Sequence, residues 1–140
     1  MEKIIAVDFD GTIVENRYPA MGKPRIFAFQ TLKALQQKGF ILILWTCRVG
    51  SLLDDAVKLC KDNGVEFYSV NSSYPGEVLD GSTSRKIDAD IYIDDRNFGG
   101  LPSWGEIYQK LCPENGAPLY EQKKKKGFFG RLFSNSNDDI

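Results

Sequence analysis

The chain has 140 residues, enough to fill one hydrophobic core and too few for two ordinary domains. Hydrophobic residues make up 42% and charged residues 26%, as in soluble globular proteins, and the net charge of -1 gives no general attraction to nucleic acid. No apolar run approaches the roughly 20 residues that span a bilayer, and the N-terminus lacks a secretory signal pattern. We therefore expect a cytoplasmic protein.

The absence of histidine excludes several kinds of active site. Ser-His-Asp triads, Cys-His dyads, histidine-phosphate chemistry and nearly all zinc hydrolase sites need that residue. Cys47, Cys60 and Cys112 form no Cys-x-x-Cys pair, which indicates reduced thiols. None is followed six positions later by arginine, the spacing of a cysteine-dependent phosphatase. Catalysis would therefore rest on carboxylates, lysine and metal.

The first strand and helix are predicted from residues 4–39. The run "IIAVDF" at 4–9 is short and apolar, as buried parallel strands are. The run at 25–39 predicts a helix, and Gly39 suits its C-terminal cap. The apolar positions at helical spacing in that run are Phe29, Leu32 and Leu35.

The second strand and helix follow the same pattern. "ILILWT" at 41–46 predicts a buried strand, and the run at 51–64 predicts a helix capped by Ser51 and ended by Gly64. Its predicted apolar stripe consists of Leu53, Val57 and Cys60.

Two further strands are predicted at 66–70 and 90–95. The β-α-β-α-β order implies right-handed crossovers and a doubly wound, Rossmann-like α/β fold, with a parallel sheet of about four strands. We expect one domain at 1–120 and a basic, aromatic tail at 121–140.

Asp8 and Asp10 stand at the end of the first predicted strand. Side chains two apart in a strand point the same way, so these carboxylates would repel each other unless a cation, a lysine or a shared proton compensates. Ligands of such sheets bind at the carboxyl ends of the strands, where we expect Thr46 and the pair Asp94 and Asp95 to meet them. Arg85 and Lys86, just before the fourth strand, would supply the cation.

Four motifs in this order carry a family resemblance: "DFDGT", "ILILWT", Lys86 and "IYIDD". The chain resembles the haloacid dehalogenase superfamily over roughly residues 3 to 112. By this resemblance Asp8 is the nucleophile that forms an aspartyl-phosphate, and Asp10 is the general acid and base. Thr46 would donate its hydroxyl to a phosphoryl oxygen, and Lys86 would neutralise developing charge.

The resemblance also implies a cofactor and a set of substrate contacts. Mg²⁺ would bind Asp8, the main chain of Asp10 and one of Asp94 or Asp95. The implied or neighbouring positions for substrate binding are Gly11, Thr12, Cys47, Arg48, Asn71 and Arg96.

Structural interpretations of the same residues stay open. Asp10 before Gly11 is also ordinary turn chemistry, and an exposed lysine at 86 is common. Arg48 and Arg96 are nearly as well explained by surface solvation. Asn71 has the alternative of beginning a turn.

The second aspartate of the first motif narrows the activity. Dehalogenases lack an acid there and ion-pumping ATPases carry threonine, so the resemblance implies a phosphatase acting on a small phosphorylated substrate. Residues 13–24 and 71–85 are too short for cap domains, which implies the capless branch, with an open site or one closed by a homo-oligomer. The alternatives are a catalytically weak phosphate-binding or regulatory module and a phospho-accepting receiver domain, whose motif order disagrees.

The segment 121–140 departs from this pattern. Four lysines and one arginine outnumber three acids, and apolar residues follow the lysines. Such a segment is able to hold an anionic membrane or nucleic acid. The more ordinary alternatives are a solvated extension or a segment that docks on a domain.

Overall fold

The structure, a computed structural model, describes residues 3–113. The chain divides into two compact units, Met1–Leu101 and a second that begins at Pro102. The first unit contains, in chain order, β1 (Ile4–Val7), α1 (Ala28–Gln37), β2 (Ile41–Leu44), α2 (Gly50–Asp62), β3 (Ser69–Val70) and β4 (Ile91–Ile93).

The four strands form one parallel sheet in the order β3-β2-β1-β4. The chain passes from β1 to β2 and β3 on one side and then returns to place β4 on the other side of β1. The predicted doubly wound α/β fold is confirmed. Because the direction of winding reverses between β1 and β4, the crevice for a ligand is expected at the carboxyl ends of these two strands.

The sheet is buried as the apolar runs predict. β1 and β2 each bury three consecutive residues, which is typical of strands covered on both faces. In α1 the predicted stripe is confirmed, because Phe29, Leu32 and Leu35 are all buried. In α2 the buried residues are Ala56 and Cys60, while Leu53 and Val57 are only half-buried.

β1 and β2 end two residues earlier than predicted. Asp8 still donates its amide to the carbonyl of Ile93, at 2.9 Å, but the chain then turns at Phe9. The carbonyl of Phe9 accepts from the amides of Thr12 and Ile13 at 3.1 and 2.9 Å. Asp10 therefore lies in a turn and not in a strand, so the alternation of strand side chains does not apply to it.

The helix ends illustrate which local signals are reliable. Gly39 follows α1 with a φ of 95°, and its amide and that of Phe40 return to the carbonyls of Gln36 and Leu35. Gly64 ends α2 in the same way, so both predicted C-terminal glycines are confirmed.

The predicted N-terminal cap of α2 is wrong. The helix begins at Gly50 after Val49, which makes no side-chain cap, and Ser51 already lies inside the first turn. Gly50 itself has a φ of 60°, in the left-handed region that glycine adopts at little cost.

The second unit is described up to residue 113 and contains α3 (Trp104–Leu111), which the sequence analysis did not predict. Ser103 and Glu106 form a capping box at its start, and Trp104 and Tyr108 are buried. None of the helices in residues 3–113 has the length and apolar character needed to cross a bilayer. The predicted boundary at 120/121 and the tail at 121–140 lie outside the described residues.

The conformation of Gly39 predicts a specific stability change. A side chain in the left-handed region costs about 1 kcal/mol, so Gly39→Ala should lower the free energy of unfolding by about that amount relative to a neutral Gly→Ala change. Space is not a factor, since no atom lies within 4 Å of an added Cβ. Gly81→Ala is the control, because Gly81 is equally open and lies outside the left-handed region. Equal urea midpoints for the two variants would contradict this account.

Candidate active site

Three carboxylates meet at the carboxyl ends of β1 and β4. Asp8 directly follows β1, while Asp94 and Asp95 directly follow β4, and one oxygen of each lies within 4.8 Å of the others. Opposite ligands of one Mg²⁺ stand about 4 Å apart, and carboxylates are the oxygen ligands that this ion prefers. These three residues therefore have the chemistry and the spacing to hold a divalent cation, as the sequence predicts for Asp8 and for the acidic pair.

Thr12 is hydrogen-bonded to the residues that follow both β1 and β4. Its side chain is 0% exposed. Its hydroxyl donates to Oδ2 of Asp8 at 2.8 Å and accepts from the amide of Asp95 at 2.9 Å. The hydroxyl is therefore inside the protein, where it orients the carboxylate of Asp8, and the predicted contact of Thr12 with substrate stays a prediction.

Gly11 lets the carboxylate of Asp95 come close to the loop after β1. Its φ is 87°, and a Cβ at this position would lie 2.3 Å from Oδ2 of Asp95. Its amide donates to the carbonyl of Val14 at 2.7 Å and is not available to a ligand. Gly11 is buried, and its lack of a side chain makes room for Asp95. Its predicted contact with substrate stays a prediction.

Asp8 has a strongly raised pKa in this cluster. Burial raises the pKa of its carboxyl from 3.8 to about 7, and a hydrogen bond with Asp95 and the charge of Asp94 act in the same direction. The hydrogen bond from Thr12 lowers this pKa without reversing the shift. A half-buried group of acids of this kind is stabilised by a bound cation, which favours every ionised carboxylate at once.

Asp10 has a different partner. Its two carboxylate oxygens accept from Nε and Nη2 of Arg48, both at 2.8 Å. The carboxylate is therefore not part of the three-acid cluster, and only its main-chain carbonyl remains as a predicted metal ligand. The cation expected from Arg85 or Lys86 is supplied to Asp10 by Arg48.

Arg48 is buried, with 1% of its surface exposed. The alternative of surface solvation is wrong, because the side chain is enclosed by protein, and the predicted contact of Arg48 with substrate stays a prediction. Its side chain reaches the loop that follows β1, where it meets Asp10.

Thr46 and Asn71 form a second hydrogen-bonded pair at the sheet edge. The side-chain oxygen of Asn71 accepts from the amide of Thr46 at 2.8 Å. The hydroxyl oxygen of Thr46 accepts from the amide of Arg48 at 3.1 Å, so its proton is left to donate to a ligand. Asn71 itself has a φ of 55° and donates its amide to Leu44 at 2.8 Å. Asn71 therefore supports Thr46.

Lys86 is not brought to the acids in this structure. It is exposed, and its ammonium lies 5.2 Å from the centre of the Tyr92 ring. It is not among the groups that shift the pKa of Asp8. Its catalytic role stays a prediction.

Cys47 and Arg96 are exposed on loops that follow β2 and β4. The amide of Arg96 donates to the carboxylate of Asp94 at 2.8 Å, while its side chain is turned to solvent. Their predicted contacts with substrate remain predictions.

One cation near the loop after β1 was missed by the sequence analysis. Nη1 of Arg25 lies 3.4 Å from the carbonyl of Gly11. The amide of Arg25 also donates to the carbonyl of Ile13 at 2.8 Å, which returns the chain to this loop. A single arginine in a polar segment gives no sequence signal of this, because the contact depends on how residues 13–24 fold back.

Comparison with known proteins yields one informative similarity. No protein-family model matches the chain, and no curated protein matches it. A solved structure of a conserved protein from Bacteroides thetaiotaomicron is 46% identical, with a TM-score of 0.75, and the match covers 96% of this chain and 100% of that chain. At this identity and coverage, the chain belongs to the same family as this conserved Bacteroides protein.

Proposed function

We propose that the protein is a Mg²⁺-dependent phosphatase of the haloacid dehalogenase superfamily, which hydrolyses a phosphomonoester through an aspartyl-phosphate on Asp8. The observation that carries this proposal is the cluster of Asp8, Asp94 and Asp95 at the point where the sheet reverses its winding. Asp10, the proposed acid, follows Asp8 by two residues on the same loop.

The proposed cation site consists of residues whose chemistry fits Mg²⁺. When bound, the ion would neutralise charge on the carboxylates and on the phosphoryl group. Asp8 and at least one of Asp94 and Asp95 would hold it, with the main-chain carbonyl of Asp10.

Asp8 is proposed to attack phosphorus with the oxygen that Thr12 does not hold. The hydrogen bond of 2.8 Å from Thr12 occupies Oδ2 and restricts rotation of the carboxylate. Oδ1 then forms the new bond to phosphorus while the bond from phosphorus to the leaving oxygen breaks. A nucleophile fixed in this way needs little further ordering to react.

Asp10 is proposed to protonate the leaving oxygen and then to accept a proton from the water that hydrolyses the aspartyl-phosphate. The hydroxyl of Thr46 is proposed to donate to a phosphoryl oxygen, because its oxygen is already positioned by the amide of Arg48 and its proton is free.

The segments beside the site have the shortness expected of the capless branch. Within residues 3–113, the segments after β1 and after β3 contain no inserted domain. The proposed substrate is a small phosphorylated molecule. As an alternative to an open site, a second copy of the chain would close the site over the substrate.

A second candidate function has one observation in its favour. The ammonium of Lys86 lies 5.2 Å from the centre of the Tyr92 ring, and Lys86 is not among the groups that shift the pKa of Asp8. A chain that keeps the fold and binds phosphate weakly, without useful turnover, would not need that lysine at Asp8. The candidate is a regulatory or phosphate-binding module.

The two candidates differ in the effect of Asp8→Asn. If Asp8 is the nucleophile, this nearly isosteric change should abolish Mg²⁺-dependent hydrolysis of p-nitrophenyl phosphate and leave the fold intact. Asp54→Asn is the matched control, since Asp54 is exposed on α2 and should keep wild-type activity. Folding is checked by circular dichroism, and metal dependence by addition of EDTA. Wild-type activity in Asp8→Asn would refute the nucleophile, whereas an inactive wild type would favour the binding module.

The raised pKa of Asp8 predicts how Mg²⁺ binding depends on pH. A proton competes with the cation below pH 7, so the apparent affinity should fall by up to about tenfold per pH unit from 7 to 5 and level off above 7. The stability of the metal-free protein should depend on pH in the opposite sense. A carboxyl whose pKa is raised from 3.8 to about 7 contributes stability below pH 4, which is lost as the pH rises through 7.

Both effects are measurable by titration calorimetry and by melting curves with and without Mg²⁺. The increase in melting temperature caused by Mg²⁺ should be larger at pH 8 than at pH 5. In Asp8→Asn this difference should become small. An affinity that is the same at pH 5.5 and 7.5 would show that Asp8 does not bind the ion.

A further inference from the structure

We propose that Arg48 is a positioning residue, which holds the carboxylate of Asp10 and the segment 13–24, named here the flap, as one unit, so that the acid faces the leaving group. The inference rests on the proposed phosphatase function. It assigns to Arg48 a role that acts through Asp10 and not through substrate.

The contact between Arg48 and Asp10 restricts the carboxylate. Two parallel N–H···O bonds of 2.8 Å join the planar guanidinium to both oxygens, and the side chain of Asp10 is only 15% exposed. Charge-assisted bonds of this kind add geometric specificity as well as energy. Each carboxylate oxygen keeps a second lone pair outside the two bonds to Arg48.

The guanidinium is enclosed on its other sides as well. Its Nη2 donates to the carbonyl of Ala20 at 2.9 Å, and Nη1 lies 3.4 Å from the carbonyl of Leu52. The rings of Phe9 and Tyr18 lie 5.1 and 5.3 Å from its central carbon. Cations at this distance from aromatic faces are attracted to them. The guanidinium of Arg48 is therefore surrounded by the carboxylate, two carbonyls and two aromatic rings described here.

Two of these contacts belong to the flap. Ala20 gives its carbonyl and Tyr18 gives its ring, while about half of the Tyr18 side chain, 52%, is exposed. Asp10 and the flap thus contact the same buried guanidinium, that of Arg48. A displacement of the flap would break bonds to the same group that orients Asp10, so the position of one is coupled to that of the other.

Arginine suits this position better than lysine for a geometric reason. A lysine would bring a point charge with three donors on one nitrogen, which is unable to bond both carboxylate oxygens in parallel and reach Ala20 at once. A role in binding substrate phosphate is disfavoured by the 1% exposure of Arg48, since an anion would have to enter a space that protein groups already fill.

The chemical step that depends on this arrangement is proton transfer. As the bond from phosphorus to the leaving oxygen breaks, its electron pair stays on that oxygen and Asp10 donates a proton to it. In the second step the carboxylate of Asp10 takes a proton from water, whose oxygen bonds to phosphorus while the bond from Asp8 breaks. Alkyl leaving groups are strongly basic and need the proton far more than nitrophenolate does.

The test is the ratio of kcat/KM for glycerol 2-phosphate to kcat/KM for p-nitrophenyl phosphate, measured with Mg²⁺. In Asp10→Asn this ratio should fall about tenfold or more, because general acid catalysis contributes roughly 10²- to 10⁴-fold. Arg48→Met should lower it similarly, and Arg48→Lys should lower it less. In the double variant of Asp10→Asn and Arg48→Met the ratio should be no lower than in Asp10→Asn alone.

The control is Arg17→Met, which removes an exposed arginine from the same flap and should leave both rates within about twofold of wild type. If Arg48→Met does not fold, as judged by circular dichroism, Arg48→Lys carries the test. A ratio that stays at the wild-type value while both rates fall would overturn the inference, as would a rise in KM alone. A wild-type protein that hydrolyses neither substrate would refute the phosphatase function itself, and the inference with it.

Discussion

Three carboxylates from two neighbouring strands are held within 4.8 Å of one another, and this constraint organises the rest of the site. Burial disfavours the charged form of Asp8, and the neighbouring acids add to that effect, which is why its pKa rises to about 7. The protein nevertheless supports the cluster, with Thr12 bonded to both strand ends and with a glycine where any side chain would collide with Asp95. A cluster of charges that is electrostatically unfavourable and is still maintained by its neighbours is typical of a functional site.

The loop after β1 gives its two aspartates opposite surroundings. Asp8 lies among acids, and Asp10 is bonded to a buried arginine. A phosphatase of the proposed kind needs this difference, because one carboxylate must attack phosphorus beside a cation while the other moves protons. The turn at Phe9 creates the difference, since it directs two side chains that are close in sequence to separate partners.

The sequence predicts the sheet, the helices of the first unit and the residues at the strand ends, because apolar runs, helical spacing and terminal glycines are local signals. It does not predict the partners of Arg48, Thr12 and Lys86. Strand alternation placed Asp8 and Asp10 on the same side, but β1 ends at Val7 and the alternation stops there. Arg48 reaches Asp10 across 38 positions of sequence, and Thr12 meets Asp95 across 83, so both contacts depend on the assembled fold.

The phosphoryl group is proposed to pass through Asp8, and this step is tested by trapping the aspartyl-phosphate. Asp10→Asn, which should slow hydrolysis of the aspartyl-phosphate, is mixed with Mg²⁺ and p-nitrophenyl phosphate, quenched, reduced with borohydride and digested for mass spectrometry. Borohydride converts an acyl-phosphate of aspartate into homoserine. The account predicts homoserine at position 8 and at no other aspartate. Release of nitrophenol with homoserine elsewhere, or with none, would contradict it.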